Sequence, residues 1–270
     1  MLLTQHGKEG VLGPIASRML GATLEVVGGF DTDTLGSFTR DTPRVGTQLE
    51  AARTKARIAI ERSGGRVGLG SEGSFGAGPF GFGGWNVEVV VLIDAGRGIE
   101  VVGTAHGPGI HVHGCVRSRD ELRELAARAG FPEHGLVVRP GGTEDPRIVK
   151  GLRTVADLEA AFANAVHASA DGTAFVESDL RAHQHPTRMD MIGRAGLDLA
   201  ARLTSACPAC GSPGFGLLRL RTGLPCAACG TPTGETAAEV HACVKCAFRE
   251  DRPREGALRA DPGSCPECNP

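Results

Sequence analysis

Residues 85–105 read WNVEVVVLIDAGRGIEVVGTA. The run NVEVVVLID is rich in β-branched residues, breaks at AGRG and resumes as IEVVGTA. That pattern predicts two strands, Val87–Ile93 and Ile99–Thr104, joined as a hairpin. Upstream, Leu24–Val27 and Val67–Leu69 read as further strands. Between them Gly46–Arg62 reads as a helix, with Leu49, Ala52, Ala56, Ala59 and Ile60 recurring at the three- and four-residue spacing of a buried face. Downstream, strands are expected at Leu136–Val138 and Ala174–Val176. Helices are expected at Lys8–Leu20, Arg119–Ala129, Val155–Ala168 and Thr187–Leu203, the last with Thr187 and Asp190 at capping-box spacing. Strands alternating with helices make residues 1–203 an α/β domain. Residues 73–84, GSFGAGPFGFGG, read as a glycine-rich loop suited to a mobile lid.

The chain has 270 residues with 29 basic and 31 acidic side chains, a net charge of −2, so no global field draws it to nucleic acid or an anionic membrane. Forty glycines, about twice the usual share, imply many turns and close backbone approaches. No run of eighteen apolar residues occurs and the opening lacks a leader pattern, so a cytoplasmic protein without membrane association is expected. Only four basic residues are lysines, Lys8, Lys55, Lys150 and Lys245, which singles them out for tasks a guanidinium does poorly.

Eight of nine cysteines fall in four CxxC pairs after residue 206: Cys207/Cys210, Cys226/Cys229, Cys243/Cys246 and Cys265/Cys268. Two thiolates three apart on a tight turn can face one tetrahedral ion, and two such turns close its shell, so residues 204–270 are expected to form a double zinc ribbon holding two structural zinc ions. The order favoured is sequential, first pair with second and third with fourth; an interleaved, cross-braced order uses the same residues. Gly or Asn follows the second cysteine in CPACG, CAACG and CPECN, where left-handed backbone is often needed. The segments Phe215–Leu220 and Ala238–His241 can supply short strands. Seven basic and seven acidic residues from Cys207 onward leave no basic stripe, so the ribbon reads as a stabilising module or a dock for protein or RNA.

Three polar clusters bear on chemistry in the first domain. The opening LLTQHGKEG is a strand and turn running into a helix, where Thr4, Lys8 and free backbone N–H groups could cradle a phosphate. Glu72 ends an apolar strand before a glycine, a place where open α/β sheets display catalytic carboxylates. Asp41 or Glu50 could share a magnesium ion with it, since magnesium takes one or two carboxylates plus substrate phosphates. Glu50 could equally pair with Arg53, Thr54 or Arg57 on a solvated face. In VESDLRAHQHPTRMDMI an extended run would place Glu177, Asp179, Arg181 and His183 on one side, with Thr187 and Arg188 at the following helix start, giving either an anion- or base-recognising pocket or a structural ion-pair network. His111, His113 and Cys115 in HVHGC alternate and could ligate a third metal, or be ordinary strand residues.

The stretches GTQLEAARTKARIAI (46–60), VGLGSEGSFG (67–76) and WNVEVVVLIDAGRGIEVVG (85–103) resemble the house-cleaning inosine/xanthosine triphosphatase superfamily. The resemblance implies a mixed sheet with flanking helices and magnesium-dependent hydrolysis of a nucleotide or related phosphorylated small molecule. It makes Lys55 a phosphate contact, Glu72 the metal-binding base and Lys8 a second phosphate contact, with His6 where that family's opening has Asn. His185 with Arg188 is loosely similar to its late His-Arg pair that reads the purine. The whole chain also resembles a bacterial family described as a domain of unknown function, through TQHGKE (4–9), DTDTLGSFTR (31–40) and the cysteine tail. A noncatalytic module that senses a phosphorylated ligand is the competing expectation.

Overall fold

The computed structural model describes residues 1–35, 46–78, 81 and 83–270. They form two compact units, Met1–Arg97 with Val102–Ala200, and Gly98–Val101 with Ala201–Pro270. No helix among the described residues is long and apolar enough to cross a membrane.

The first unit contains a mixed sheet ordered β2-β1-β3-β4-β5, made by β1 (Leu2–Leu3), β2 (Val26–Val27), β3 (Val67–Ala77), β4 (Gly84–Asp94) and β5 (Ile99–Pro108). β1 is parallel to both β2 and β3, while β3 and β4 form a long antiparallel ladder from Val67 opposite Asp94 to Ala77 opposite Gly84. Helix α1 (Glu9–Leu20) leads from β1 to β2, and α2 (Gln48–Ser63) leads into β3 on the other side of β1. The strand order therefore reverses between β1 and β3, and such a reversal opens a crevice at the carboxyl ends of parallel strands.

Glycine sets how closely the helices approach this sheet. A Cβ at Gly68 would lie 2.1 Å from Ala56 O, and one at Gly70 would lie 2.0 Å from Ala52 O, so α2 rests its backbone on β3. Ala52, Ala56 and Ala59 are fully buried and supply the matching small face of the helix. On the opposite face α5 (Pro186–Thr204) approaches in the same way, with a Gly103 Cβ only 2.3 Å from Ala195 O. Leu12 and Ile15 of α1 pack on Gly196 of α5, and Leu69 of β3 shares an apolar space with Leu12, Ile15 and Leu199. Along β3, residues 68, 70 and 72 consequently face α2, and 69, 71 and 73 face α1 and α5.

A second sheet in this unit is antiparallel, ordered β6-β9-β7-β8, from β6 (His113–Val116), β7 (Leu136–Pro140), β8 (Val149–Leu152) and β9 (Ala174–Ser178). Helices α3 (Arg119–Arg128) and α4 (Val155–Ala168) cover it through Leu122, Leu125, Leu158 and Phe162. In the second unit β10 (Gly216–Thr222), β11 (Thr236–Ala242) and β12 (Arg249–Pro253) form an antiparallel sheet with β11 in the centre.

The glycine-rich segment 73–84 is not simply a loop. Gly73–Ala77 continues β3 and pairs with Gly84–Glu88, because the β4 ladder gives its backbone groups partners despite the entropy that glycine loses in a strand. Pro79, Phe80 and Phe82 of the expected lid lie outside the described residues, as does Asp41.

Candidate functional site

In the ribbon unit the antiparallel sheet decides which cysteines meet. Cys207 and Cys210 precede β10, and β11 returns to the same end, since Gly216 lies opposite Ala242, delivering Cys243 and Cys246 there. Cys226 and Cys229 follow β10 at the other end, where β12 delivers Cys265 and Cys268. The groups are thus Cys207/Cys210/Cys243/Cys246 and Cys226/Cys229/Cys265/Cys268, with all four sulfurs of each within 4.8 Å of one another. This cross-braced order replaces the sequential order that spacing favoured. Strand parity, rather than gap length, controls the pairing.

The sulfur geometry suits a tetrahedral ion. The Sγ–Sγ separations are 3.8 Å for Cys207–Cys246, 3.7 Å for Cys210–Cys243, 3.9 Å for Cys226–Cys268 and 3.5 Å for Cys229–Cys265. A tetrahedron with metal–sulfur bonds of about 2.3 Å has edges of about 3.8 Å. All nine cysteines are unpaired thiols, and a disulfide would need sulfurs about 2 Å apart. At Gly211 and Gly230 the backbone is left-handed (φ 70° and 80°), and each donates its N–H back to the carbonyl of the first cysteine of its pair. Hydrogen bonds from the Thr231 side chain and backbone bring Cys229 down to about 6, while Cys268, beside Cys229, is pushed up to about 12. Four thiols so close do not all ionise unaided; a divalent cation is what favours four thiolates together. The two groups are therefore compatible with zinc.

The first unit carries a buried ionic cluster where β1 and β3 diverge. On the α2 face, Lys55 Nζ lies 2.5 Å from Glu72 Oε2. Gln48 Nε2 donates to Glu72 O and Val87 O, both at 2.8 Å, tying the start of α2 to the hairpin. On the other face, Arg188 of α5 donates from Nε to Glu88 Oε1 at 2.6 Å and from a terminal nitrogen to Leu180 O. Lys8, at the N-terminus of α1, donates from Nζ to Ser71 O at 3.0 Å and Ser71 Oγ at 3.3 Å. Glu88, Arg188 and Lys8 are at most 4% exposed. Burial, reinforced by Lys55 and Arg188 and opposed by Glu72 and Glu88, brings the Lys8 amine down to about 7. Lysines tuned into this range by burial and neighbouring cations are common at functional sites.

Other expected site residues are placed differently. Glu50 closes the capping box of α2: its Oε2 accepts the Thr47 N–H at 2.6 Å, and Thr47 Oγ1 accepts the Glu50 N–H at 3.2 Å. Five residues from Lys55, it lies about 140° around the helix, so it does not join Glu72 at a metal. Among the described residues, only the cysteine groups assemble three or more metal-ligating side chains. This also removes His111, His113 and Cys115 as a metal set; β6 begins only at His113, and Cys115 Sγ donates to Gly141 O at 3.4 Å.

The run 177–188 is largely structural. β9 ends at Ser178, and Arg181 turns back onto Asp179, with Nη2 2.6 Å from Oδ2. Arg139 reaches Glu177 at 3.4 Å. His185 caps α5 by accepting the Arg188 N–H on Nδ1 at 3.2 Å, and donates from Nε2 to Ile110 O at 2.9 Å. Its burial holds the imidazole down at about 4, neutral as both bonds require. Thr187 is therefore inside the first turn, bonded to His185 and His134, rather than the cap its spacing suggested. His6 and His183 do meet, stacked with ring centres 5.0 Å apart, and Thr4 Oγ1 accepts the His6 N–H at 3.2 Å. Sequence reasoning missed Glu88 and Asn86. Their signal was present, as two polar side chains at a two-residue spacing inside a strand that is otherwise almost wholly apolar.

No curated protein and no solved structure matches the chain. One family does, over a span that takes in Lys55, Glu72, Glu88, Arg188 and all eight ribbon cysteines. Through that match, over residues 55–270, the chain belongs to the family described as a domain of unknown function, DUF6671.

Proposed function

We propose that the first unit is a hydrolase of a nucleotide or related phosphorylated small molecule, and that the two cysteine groups hold structural zinc. The observation that carries the hydrolase reading is the gathering of Lys8, Lys55 and Glu72 where the strand order reverses, beside the N-terminus of α1. Phosphoryl transfer needs charge neutralisation and positioning more than covalent help, and two ammonium groups around Ser71 and Glu72 are suited to that. The likeness of residues 46–103 to inosine/xanthosine triphosphatases supports the same chemistry and an inosine triphosphatase-like sheet. Magnesium carried by the substrate phosphates would meet Glu72, and it polarises the phosphoryl oxygens when bound. The protein's own groups bind and orient: Lys8 and Lys55 draw the phosphates in, and the stacked His6 and His183 flank the opening turn. The cytoplasm is the compartment this chemistry and the reduced cysteines suit.

The test is release of phosphate or pyrophosphate from a panel of common and deaminated nucleotides with magnesium or manganese. Glu72→Gln should abolish turnover and, because it leaves buried Lys55 without its carboxylate, also lower the melting temperature; absence of turnover by the wild type across the panel rejects the reading. One observation favours a second reading, a noncatalytic sensor docking on protein or RNA through its ribbons. Lys55 and Glu72 already neutralise each other, and Glu50 is committed to a helix cap. Tight nucleotide binding without turnover would select it.

A further inference from the structure

Helices α1 and α5 run side by side in the same direction, since a Cβ at Gly193 would meet Val11 at 3.8 Å and one at Gly196 would meet Ile15 at 3.2 Å. Their outer faces leave a groove of about 650 Å³, walled by Val11, Pro14 and Ile15 on α1 and by Gly193 and Leu197 on α5. Gly10 and Gly193 leave its N-terminal half low, whereas Met19 and Leu197 stand up at the other end, 39% and 48% exposed. The charges are divided along the same axis. Exposed Glu9 and Asp190 lie at the N-terminal end, and exposed Arg18 and Arg194 lie further toward the C-terminal end. Among the described residues none of the four makes an ion pair. Asp190 and Arg194 are four residues apart on α5, a spacing at which opposite charges commonly meet, yet they do not join. Arg18 turns its Nε to its own helix, donating to Pro14 O at 3.3 Å.

We propose that this groove is a dimer interface, filled by the same groove of a second copy of the chain with its helices reversed. The proposal is independent of the hydrolase reading. Isologous contact brings one patch against itself, so the patch must complement its own reversed image. This one does. A two-fold axis lying across α5 midway between Asp190 and Leu197 sets Leu197 of each copy opposite Asp190 of the other, over the low, glycine-floored end. Arg194 then falls three residues, about 4.5 Å, along the helix axis from Asp190 of the other copy, within the span of a guanidinium side chain. On α1 the acidic Glu9 and the basic Arg18 exchange ends in the same way, and Met19 moves over the low end with Leu197. The two exposed apolar side chains supply the centre of the contact and the four charges its rim, the division usual at interfaces. A partner of one charge sign would meet a like charge at one end of the groove, so a second copy is the occupant that the pattern selects.

Sedimentation velocity of the full chain at concentrations up to about 100 μM tests this. A particle of twice the 27.9 kDa chain mass is expected. Its dissociation constant should rise with added sodium chloride, because the rim charges are screened. Leu197→Asp places a charge in the centre of the contact and should leave only monomer, with a far-UV circular dichroism spectrum equal to wild type because position 197 is exposed in the single chain. Arg194→Asp and Asp190→Arg each set like charges together twice per dimer, and each should raise the dissociation constant at least about tenfold. Combining them exchanges the two signs and restores the complementarity, so the double variant should return to within about threefold of wild type. A merely solvated helix face gives no such rescue. A wild type that stays monomeric at about 100 μM overturns the proposal and turns the search to a different protein as occupant. A dimer that Leu197→Asp does not weaken, or a double variant that binds no tighter than the two singles, overturns it as well.

Discussion

Replacing cysteines two at a time distinguishes the cross-braced from the sequential ribbon. Each closed site needs four thiolates, so a single Cys→Ala change should remove one zinc per chain, leaving one. In the structure Cys207 and Cys243 serve one site, whereas Cys226 serves the other. Cys207→Ala with Cys243→Ala should therefore keep one zinc, while Cys207→Ala with Cys226→Ala should keep none. Sequential pairing predicts the reverse for both doubles. The remaining site should survive its neighbour's loss because strands of five to seven residues, at about 3.4 Å each, hold the two ends of the ribbon sheet roughly 20 Å apart. Structural zinc in small finger domains binds with about 10–16 kcal/mol at pH 7, so an intact site should stay loaded through purification. Metal analysis of freshly purified, reduced protein gives the count, and a mercurial titration with a zinc-sensitive dye gives the release per site. One zinc in the 207/226 double and none in the 207/243 double would refute the strand-parity argument.

Two further perturbations test the first unit. Gly70→Ala puts a methyl group 2.0 Å from Ala52 O, a backbone atom that cannot swing aside. It should cost about 3 kcal/mol or more, read as a lower urea midpoint at unchanged slope, and a midpoint equal to wild type would mean α2 does not rest on β3. Lys8, lowered to about 7 from an unfolded value near 10.5, binds its proton more weakly when folded. Its contribution to stability should therefore rise as pH increases from about 7 to 10, by at most about 1.4 kcal/mol per unit, and level off at its least favourable value below about 7, where both states hold the proton. Thermal melts of wild type and Lys8→Met across that range should differ by this slope; parallel curves would show that Lys8 is not buried.

The pattern of apolar residues carried much of the fold. α2 was legible because Ala52, Ala56 and Ala59 mark one helical face, and the β4–β5 hairpin because Val87–Ile93 breaks at AGRG. What stayed hidden lacked apolar periodicity. β8 reads VKGL and β12 reads REDRP; both are edge strands of their sheets, β8 half-buried and β12 largely exposed, and neither shows an apolar alternation, so their neighbours rather than their own side chains hold them in place. β3 was cut short at Leu69 because Gly70, Gly73 and Gly76 resemble loop composition, yet Gly70 and Gly73 stand where a helix backbone or an ion pair leaves no space for a Cβ. The α5 cap was missed for a related reason: Thr187 has the usual residue type and spacing, but a neutral His185 two positions earlier already fills the acceptor role.

The candidate site was legible in its lysines and only partly in its carboxylates, for a physical reason. A lysine rare in an arginine-rich chain stands out by composition alone, and both Lys8 and Lys55 prove to be buried in the cluster. A carboxylate stands out only by its surroundings, and those are tertiary. Glu50 begins a helix, where capping competes with metal binding for the same oxygen, and the local interaction is formed by the helix itself. Glu88 sits inside a strand whose apolar neighbours hide it from a search for acidic clusters, although burial makes an ionised group there costly without a partner. Arg188, one hundred residues later, is that partner, and it occupies only one of the two oxygens. The unequal treatment of the two Glu88 oxygens, one held by a guanidinium and one without a donor among the described residues, is therefore visible only once α5 packs on β4.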